Sequence, residues 1–346
     1  MKLSNTQVAA YSIGHFIVDL SCAIYMMGYL RESQNWALII LLYNFCAFAL
    51  QMPIGIIADK WNRNACMASL GCLLVLLSFL FHDQSIFAAM VLGTGNGCFH
   101  IGGGLEVLNE SNEKMGLLGI FVSPGAFGIF FGTLIGKSEF VNRFGILLAL
   151  ALVLFGLSLL FLYLNFRQRK SLRSDNANLE VDFSGKAGLL AACFLVVVLR
   201  SHIGMVLSYP WKTGALAAIA ICMVVFGKAL GGMISDKAGV RKTVIVSLGA
   251  ASVLFLIGEL PFFGLGAILL FNMTMPITLW IMAKLLPGAK GFAFGILTFA
   301  LFIGFLPKYY GYTSMVPGNI EYAVGAILSL VIMIYIIMKG KSICGS

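Results

Sequence analysis

Apolar runs of about 20 residues, the length that crosses a bilayer as a helix, follow one another along almost the whole chain. Polar breaks separate twelve of them, near residues 8–30, 36–58, 65–82, 86–106, 115–136, 144–165, 187–208, 213–234, 243–258, 261–283, 291–313 and 320–338. Only one connection is long: RQRKSLRSDNANLEVDFSGK, residues 167–186, polar and dense in charge, lies between the sixth and seventh runs. The pattern predicts six helices, a linker and six helices, with bundles over 1–166 and 187–346 joined by 167–186. The fold class expected is an all-α integral membrane protein of twelve transmembrane helices in two six-helix bundles.

Composition supports the bilayer. Hydrophobic residues make up 60% of the 346 and charged residues 11%, where a soluble domain is about a quarter charged. A net charge of +9 would point to nucleic acid in a soluble protein; here it is better read as basic loops that set topology. With both termini cytoplasmic, sixteen Lys and Arg fall inside, against five outside: Arg31, Lys137, Arg143, Lys212 and Lys308. The positive-inside rule favours that orientation. Arg200 and Lys228 remain within the spans. Lipids are expected partners and nucleic acid is not.

Seven of the eight cysteines lie in or against apolar segments, Cys344 sits in the tail, and no C-x-x-C pair is visible. MKLSNTQ leads into a stretch too long and too polar-studded for a cleaved signal peptide, and the final CGS is no lipidation box. GTGNGCFHIGGG imitates a phosphate loop, but no strand precedes it and no G-K-[ST] follows. The sequence has no H-E-x-x-H, no G-x-S-x-G and no ligand cluster of structural-metal type. Neither a cofactor, a metal nor an enzyme activity is expected.

A short motif repeats at half the chain length. GIIADKWNRN carries Gly55, Asp59, Lys60 and Arg63; GGMISDKAGVRK carries Gly232, Asp236, Lys237, Gly239, Arg241 and Lys242. The two glycines are 177 residues apart, as a repeat of six helices requires. Glycine at a helix end admits a close neighbour, the carboxylate can meet a facing helix N-terminus or a basic side chain, and the basic residues suit anionic headgroups.

The 232–242 segment, with its echo at 55–63, resembles the signature loop of the major facilitator superfamily, and the six-plus-six plan agrees over the whole chain. The first copy departs from the pattern, with Asn62 in place of the second glycine and Asn64 where a basic residue is common. A narrower likeness is to the fosmidomycin-resistance efflux branch. It rests on GNGCFHIGGG (95–104), GLLGIFVSPGAFGIFFGTLIG (116–136) and VVVLRSHIGM (196–205), although Ile101 replaces the proline usual after that histidine.

The resemblance implies that the first, fourth, seventh and tenth helices line a central cavity. Those runs hold most of the intramembrane polar groups: His15 and Asp19; Asn96, His100 and Glu106; Arg200 and His202; Asn272 and Thr274. Lys228 on the eighth run is the exception. An ionised group at mid-helix costs about 2.5–3.5 kcal/mol on insertion scales, so each needs a reason. His15 and Asp19, at i and i+4, can touch and would titrate as a unit in reach of neutral pH. They are expected to couple protons, against the alternative of a polar knot between helices.

Asn96, His100, Arg200 and Asn272 are the expected substrate residues, the planar guanidinium suiting carboxylate or phosphonate groups. Arg200 and His202, two positions apart, cannot both face the cavity squarely. Glu106 is readable as a mere loop charge. On the fifth run Ser123, Pro124 and Gly125, followed by Gly128, Gly132 and Gly136, resemble the antiporter motif of the superfamily's exporters, or form simply a packing face.

The expectation is a monomeric secondary transporter of the bacterial inner membrane, both termini cytoplasmic, exporting a small anionic or amphipathic compound against protons by alternating access. The alternative is import of an organic anion or nutrient by proton symport or facilitated diffusion. A membrane sensor or intramembrane enzyme is a third reading, without a soluble output domain or a nucleophile–base pair to support it.

Overall fold

The computed structural model describes residues 5–111, 114–139, 142–169 and 185–340, so most of the expected linker at 167–186 lies outside the described residues. Every described apolar run is helical. The first is α1 (Asn5–Tyr25) with a π-helical turn, Met26–Leu30; the second is α2 (Trp36–Asn44), a π-helical turn Phe45–Ala49, and α3 (Gln51–Trp61). Then come α4 (Asn64–Ser78), α5 (Ser85–Glu110), the broken pair α6 (Met115–Val122) and α7 (Pro124–Lys137), and α8 (Arg143–Arg169). The second half supplies α9 (Ala187–Val206), α10 (Gly214–Ala238), α11 (Val240–Leu256), the broken pair α12 (Pro261–Asn272) and α13 (Thr274–Leu285), α14 (Lys290–Tyr309) and α15 (Gly318–Lys339).

Among the described residues, ten helical stretches are long and apolar enough to cross a membrane. The runs near 86–106 and 243–258 form α5 and α11 and are not among the ten. α11 has only 17 residues, and α5 is rich in glycine and carries Asn96, His100 and Glu106.

The breaks have chemical causes. Pro124 has no N–H, so the ladder cannot run through it and the carbonyl one turn earlier is released. Pro276, in the first turn of α13, releases the Asn272 carbonyl in the same way.

The described residues form two compact units. One comprises Met1–Glu110, Pro124–Glu180 and Gly288–Thr298; the other Ser111–Ser123, Val181–Pro287 and Phe299–Ser346. Each unit thus takes in a short segment from the other half of the sequence.

Backbone approach at glycines builds both. In the first unit α7 turns Gly125, Gly128, Gly132 and Gly136, all buried, towards α1. A Cβ on Gly132 would lie 2.6 Å from the Leu20 carbonyl oxygen, and one on Gly128 2.9 Å from the Leu20 nitrogen. The small-residue ridge is therefore a helix-packing face, as in membrane interiors generally. α4 and α5 meet likewise, with a Gly95 Cβ 2.7 Å from the Val75 nitrogen. In the second unit a Cβ on Gly119 of α6 would lie 2.6 Å from the Lys228 carbonyl of α10.

Gly132→Val should therefore destabilise the protein by about 1–3 kcal/mol, the usual range for overpacking. Gly156→Ala, whose Cβ meets nothing within 4 Å, should not. Thermal unfolding in detergent checks the pair.

Candidate functional site

In the first unit α1 and α5 bring four polar side chains together. His15 and Asp19, one turn apart on α1, are 8% and 5% exposed, and Asn96 of α5 is 2% exposed. His15 Nε2 lies 3.3 Å from Asp19 Oδ2, and Asn96 Nδ2 donates to Asp19 Oδ1 at 2.8 Å. His100, one turn beyond Asn96, presents Nε2 3.2 Å from the same Oδ1, within ion-pair distance but off the line of a good hydrogen bond. The two imidazoles stand edge to face with centroids 4.4 Å apart. Gly125 closes the cluster from α7: a Cβ there would collide with Asp19 Oδ2 and His15 Nε2. Asn96 and His100, expected at the substrate, are thus partners of Asp19.

One residue of the cluster went unread in the sequence. Gln51, fully buried, donates Nε2 to the Ala47 carbonyl at 2.6 Å, which fixes its amide orientation, since a flip would set two oxygens together. The same nitrogen lies 3.5 Å from His100 Nδ1. Nδ1 is then the acceptor, and the ring proton is assigned to Nε2, the atom facing Asp19. His15, Asp19 and His100 have ligand atoms within 4.8 Å of one another, close enough to converge on one metal ion. A metal needs the Nε2 lone pair that this tautomer protonates.

The second unit concentrates positive charge instead. Arg200, 8% exposed, donates Nη2 to Thr278 Oγ1 at 3.1 Å. It also lines a cleft of about 70 Å³ together with Asn272 and Lys212. Among the described residues no carboxylate lies within ion-pair distance of Arg200. His202 points elsewhere: its Nε2 lies 2.9 Å from Glu321 Oε1 of α15, and its ring packs on Tyr312. Residues two positions apart on a helix point about 200° apart, which is why only Arg200 reaches the cleft. Thr274 is buried and donates to the Phe271 carbonyl.

Glu106 is 7% exposed inside α5, which corrects its reading as a loop charge. Lys228 has a partner that the sequence left open: its Nζ donates to the Val122 carbonyl at 3.4 Å. Val122 ends α6 just before the Ser123-Pro124 break, and a cation is favoured at such a helix C-terminus.

The two motif loops make matching contacts. Asp59 accepts the N–H groups of Gly291 and Phe292 at 2.7 and 2.8 Å, in the first turn of α14. Asp236 accepts those of Met115 and Gly116, both at 2.8 Å, in the first turn of α6. Gly55 faces Gly291 and Gly232 faces Met115 with no room for a side chain. Asn62, the departure from the motif, has φ 48° where Gly239 has φ 87°. With ψ 43°, Asn62 is left-handed helical, which asparagine tolerates best among non-glycine residues, whereas Gly239 with ψ 151° takes an extended positive-φ conformation essentially reserved for glycine, so the two turns differ. Lys60, Arg63, Lys237, Arg241 and Lys242 are all exposed.

No protein-family model and no curated protein sequence matches the chain. Solved structures do. A crystal structure of FucP, described as a major facilitator superfamily transporter in the outward conformation, aligns with a TM-score of 0.67 and 16% identity, over 96% of this chain and 98% of that one. The fold is that of the major facilitator superfamily. A variant of the E. coli fucose:proton symporter FucP gives the same TM-score at 12% identity, again over 96% and 98% of the two chains. Within this major facilitator fold the residues expected from the sequence fall into three groups: the Asp19 cluster, the Arg200 cleft and the paired motif loops. The narrower fosmidomycin-resistance likeness rests on the sequence segments alone.

Removing either capping carboxylate leaves two orphaned amides, and loss of a cap costs about 0.5–2 kcal/mol. Asp236→Ala should speed hydrogen–deuterium exchange in the first turn of α6, and Asp59→Ala in that of α14. Lys60→Ala and Lys237→Ala, at exposed positions, should leave both turns protected.

Proposed function

We propose that the protein is a proton-coupled secondary transporter of the major facilitator superfamily, working by alternating access. The observation that carries this reading is one buried carboxylate, Asp19, contacted by two imidazoles and an amide. Such a set titrates as a unit, and histidine brings that titration within reach of neutral pH. A purely structural knot would need only neutral donors such as Asn96.

His15, Asp19 and His100 are read as the proton site, with Asn96 and Gln51 orienting it. Arg200 and Asn272 are read as substrate residues, because an uncompensated buried cation is best stabilised by an anion. The favoured direction is export of a small anionic or amphipathic compound, supported by the likeness of Ser123, Pro124 and Gly125 to an antiporter motif. Asp59 and Asp236, with their glycines and basic neighbours, are read as gating loops. The reading includes six-helix bundles at 1–166 and 187–346, a monomer, a bacterial inner membrane and cytoplasmic termini.

A second direction has its own support. One structural neighbour is described as a fucose:proton symporter, and the same proton site would serve import by symport.

Proteoliposomes holding a pH-sensitive dye test the proposal with a panel of organic anions and amphipathic compounds. Substrate should drive proton flux in the wild type, and Asp19→Asn should abolish that flux while leaving the protein folded. Equal substrate movement by both, without protons, would reduce the cluster to a structural knot in a facilitator.

A further inference from the structure

Arg200, Ile203, Gly204 and Leu207 recur at +3, +4 and +7 and share one stripe along α9 and its C-terminal end. At 1.5 Å per residue, Arg200 and Leu207 stand about 10 Å apart along the axis. The loop after α9 then folds back, so that Lys212 Nζ donates to the Leu207 carbonyl at 3.1 Å. Both cations line the same cleft. Neither has a carboxylate within ion-pair distance among the described residues. Lys212 is part-buried, and burial pushes its ammonium below the ordinary lysine value.

Apart from Arg200, Lys212 and Asn272, the cleft is lined by apolar residues. Gly204 forms part of its floor, and a Cβ added there would meet nothing within 4 Å. Ile203 and Phe271 add apolar wall, and Asn272 stands among them. A single inorganic anion would satisfy one end and leave the apolar middle and the other cation unused.

We propose that this cleft binds an elongated organic anion with an apolar middle and an acidic or acceptor group at each end, one on Arg200 and the other on Lys212. Lys212, which from the sequence alone is an ordinary outer-loop charge, is on this view a specificity determinant. The proposal rests on the transporter reading for the ligand's fate, but its test does not.

Calorimetric titration of the purified protein in detergent would use α,ω-dicarboxylates of increasing length, with monocarboxylates and α,ω-diols of matched length. Affinity should rise with length up to a span of about 10 Å, roughly fourfold per methylene. At that span the dicarboxylate should bind on the order of tenfold tighter than the monocarboxylate, as expected for a hydrogen bond to a charged group. Lys212→Gln should erase that margin, Lys212→Arg should keep it, and Gly204→Leu should weaken both acids by filling the floor. Diols binding as well as diacids, or an unchanged diacid preference in Lys212→Gln, would overturn the proposal. Intact binding without flux in vesicles would instead count against the transporter reading alone.

Discussion

An ionisable group inside a bilayer has to bring its own solvation, and this chain meets that demand in two opposite ways. Asp19 is surrounded by donors: the Asn96 amide at 2.8 Å and two imidazole nitrogens at 3.2 and 3.3 Å. Among the described residues Arg200 has a hydroxyl, Thr278, and no acid within ion-pair distance. Leaving a charge unpaired in low dielectric costs several kcal/mol, so on the proposed reading an anion completes the second arrangement. The helices that carry these residues are otherwise interchangeable apolar cylinders. What distinguishes the two units chemically is this allocation of partners.

Glycine makes the allocation possible. Gly125 lies where any side chain would strike both Asp19 and His15, so the ridge that packs α7 on α1 also closes the Asp19 cluster from that side. The same economy recurs at the motif loops, where Gly55 and Gly232 let a helix end approach closely enough for Asp59 and Asp236 to reach backbone amides. A carboxylate there serves the orphaned N–H groups and the positive end of the helix dipole together. Each acid lies in one half of the sequence and caps a helix from the other half, which is why each compact unit includes a segment of the opposite half.

Much of this was legible in the chain itself. The apolar runs coincide with helices, and the repeat spacing matched the two loops that make equivalent contacts. The i,i+4 spacing of His15 and Asp19, and of Asn96 and His100, put on one face residues that meet in the structure. What escaped was whatever depends on a neighbour from elsewhere in the chain. Gln51 is a neutral polar residue in an apolar run, and only its contact with His100 gives it meaning. Lys212 reads as a loop charge until the loop folds back onto α9. The partners of His202 and Lys228 lie 119 and 106 residues away, beyond any local periodicity. The two π-helical turns carry no proline and have no sequence signal that we can identify.

On the proposed reading, with a proton carried at Asp19 and an anion at Arg200, charge accounting bears on direction. If one proton moves with one monoanion in symport, no net charge crosses the membrane, and the potential neither drives nor opposes the cycle. If a proton enters as a monoanion leaves, two charges move in the same electrical sense, worth about 4.6 kcal/mol per 100 mV. A dianion shifts both sums by a further charge. Export of anions is therefore the mode in which an energised membrane does most for a carrier of this design, and a weak proton site could sustain it. Import by symport has only the proton gradient and the substrate's own concentration to draw on, so it demands tighter linkage between Asp19 and the substrate. The burial of Asp19 beside Asn96, His15 and His100 is compatible with either mode.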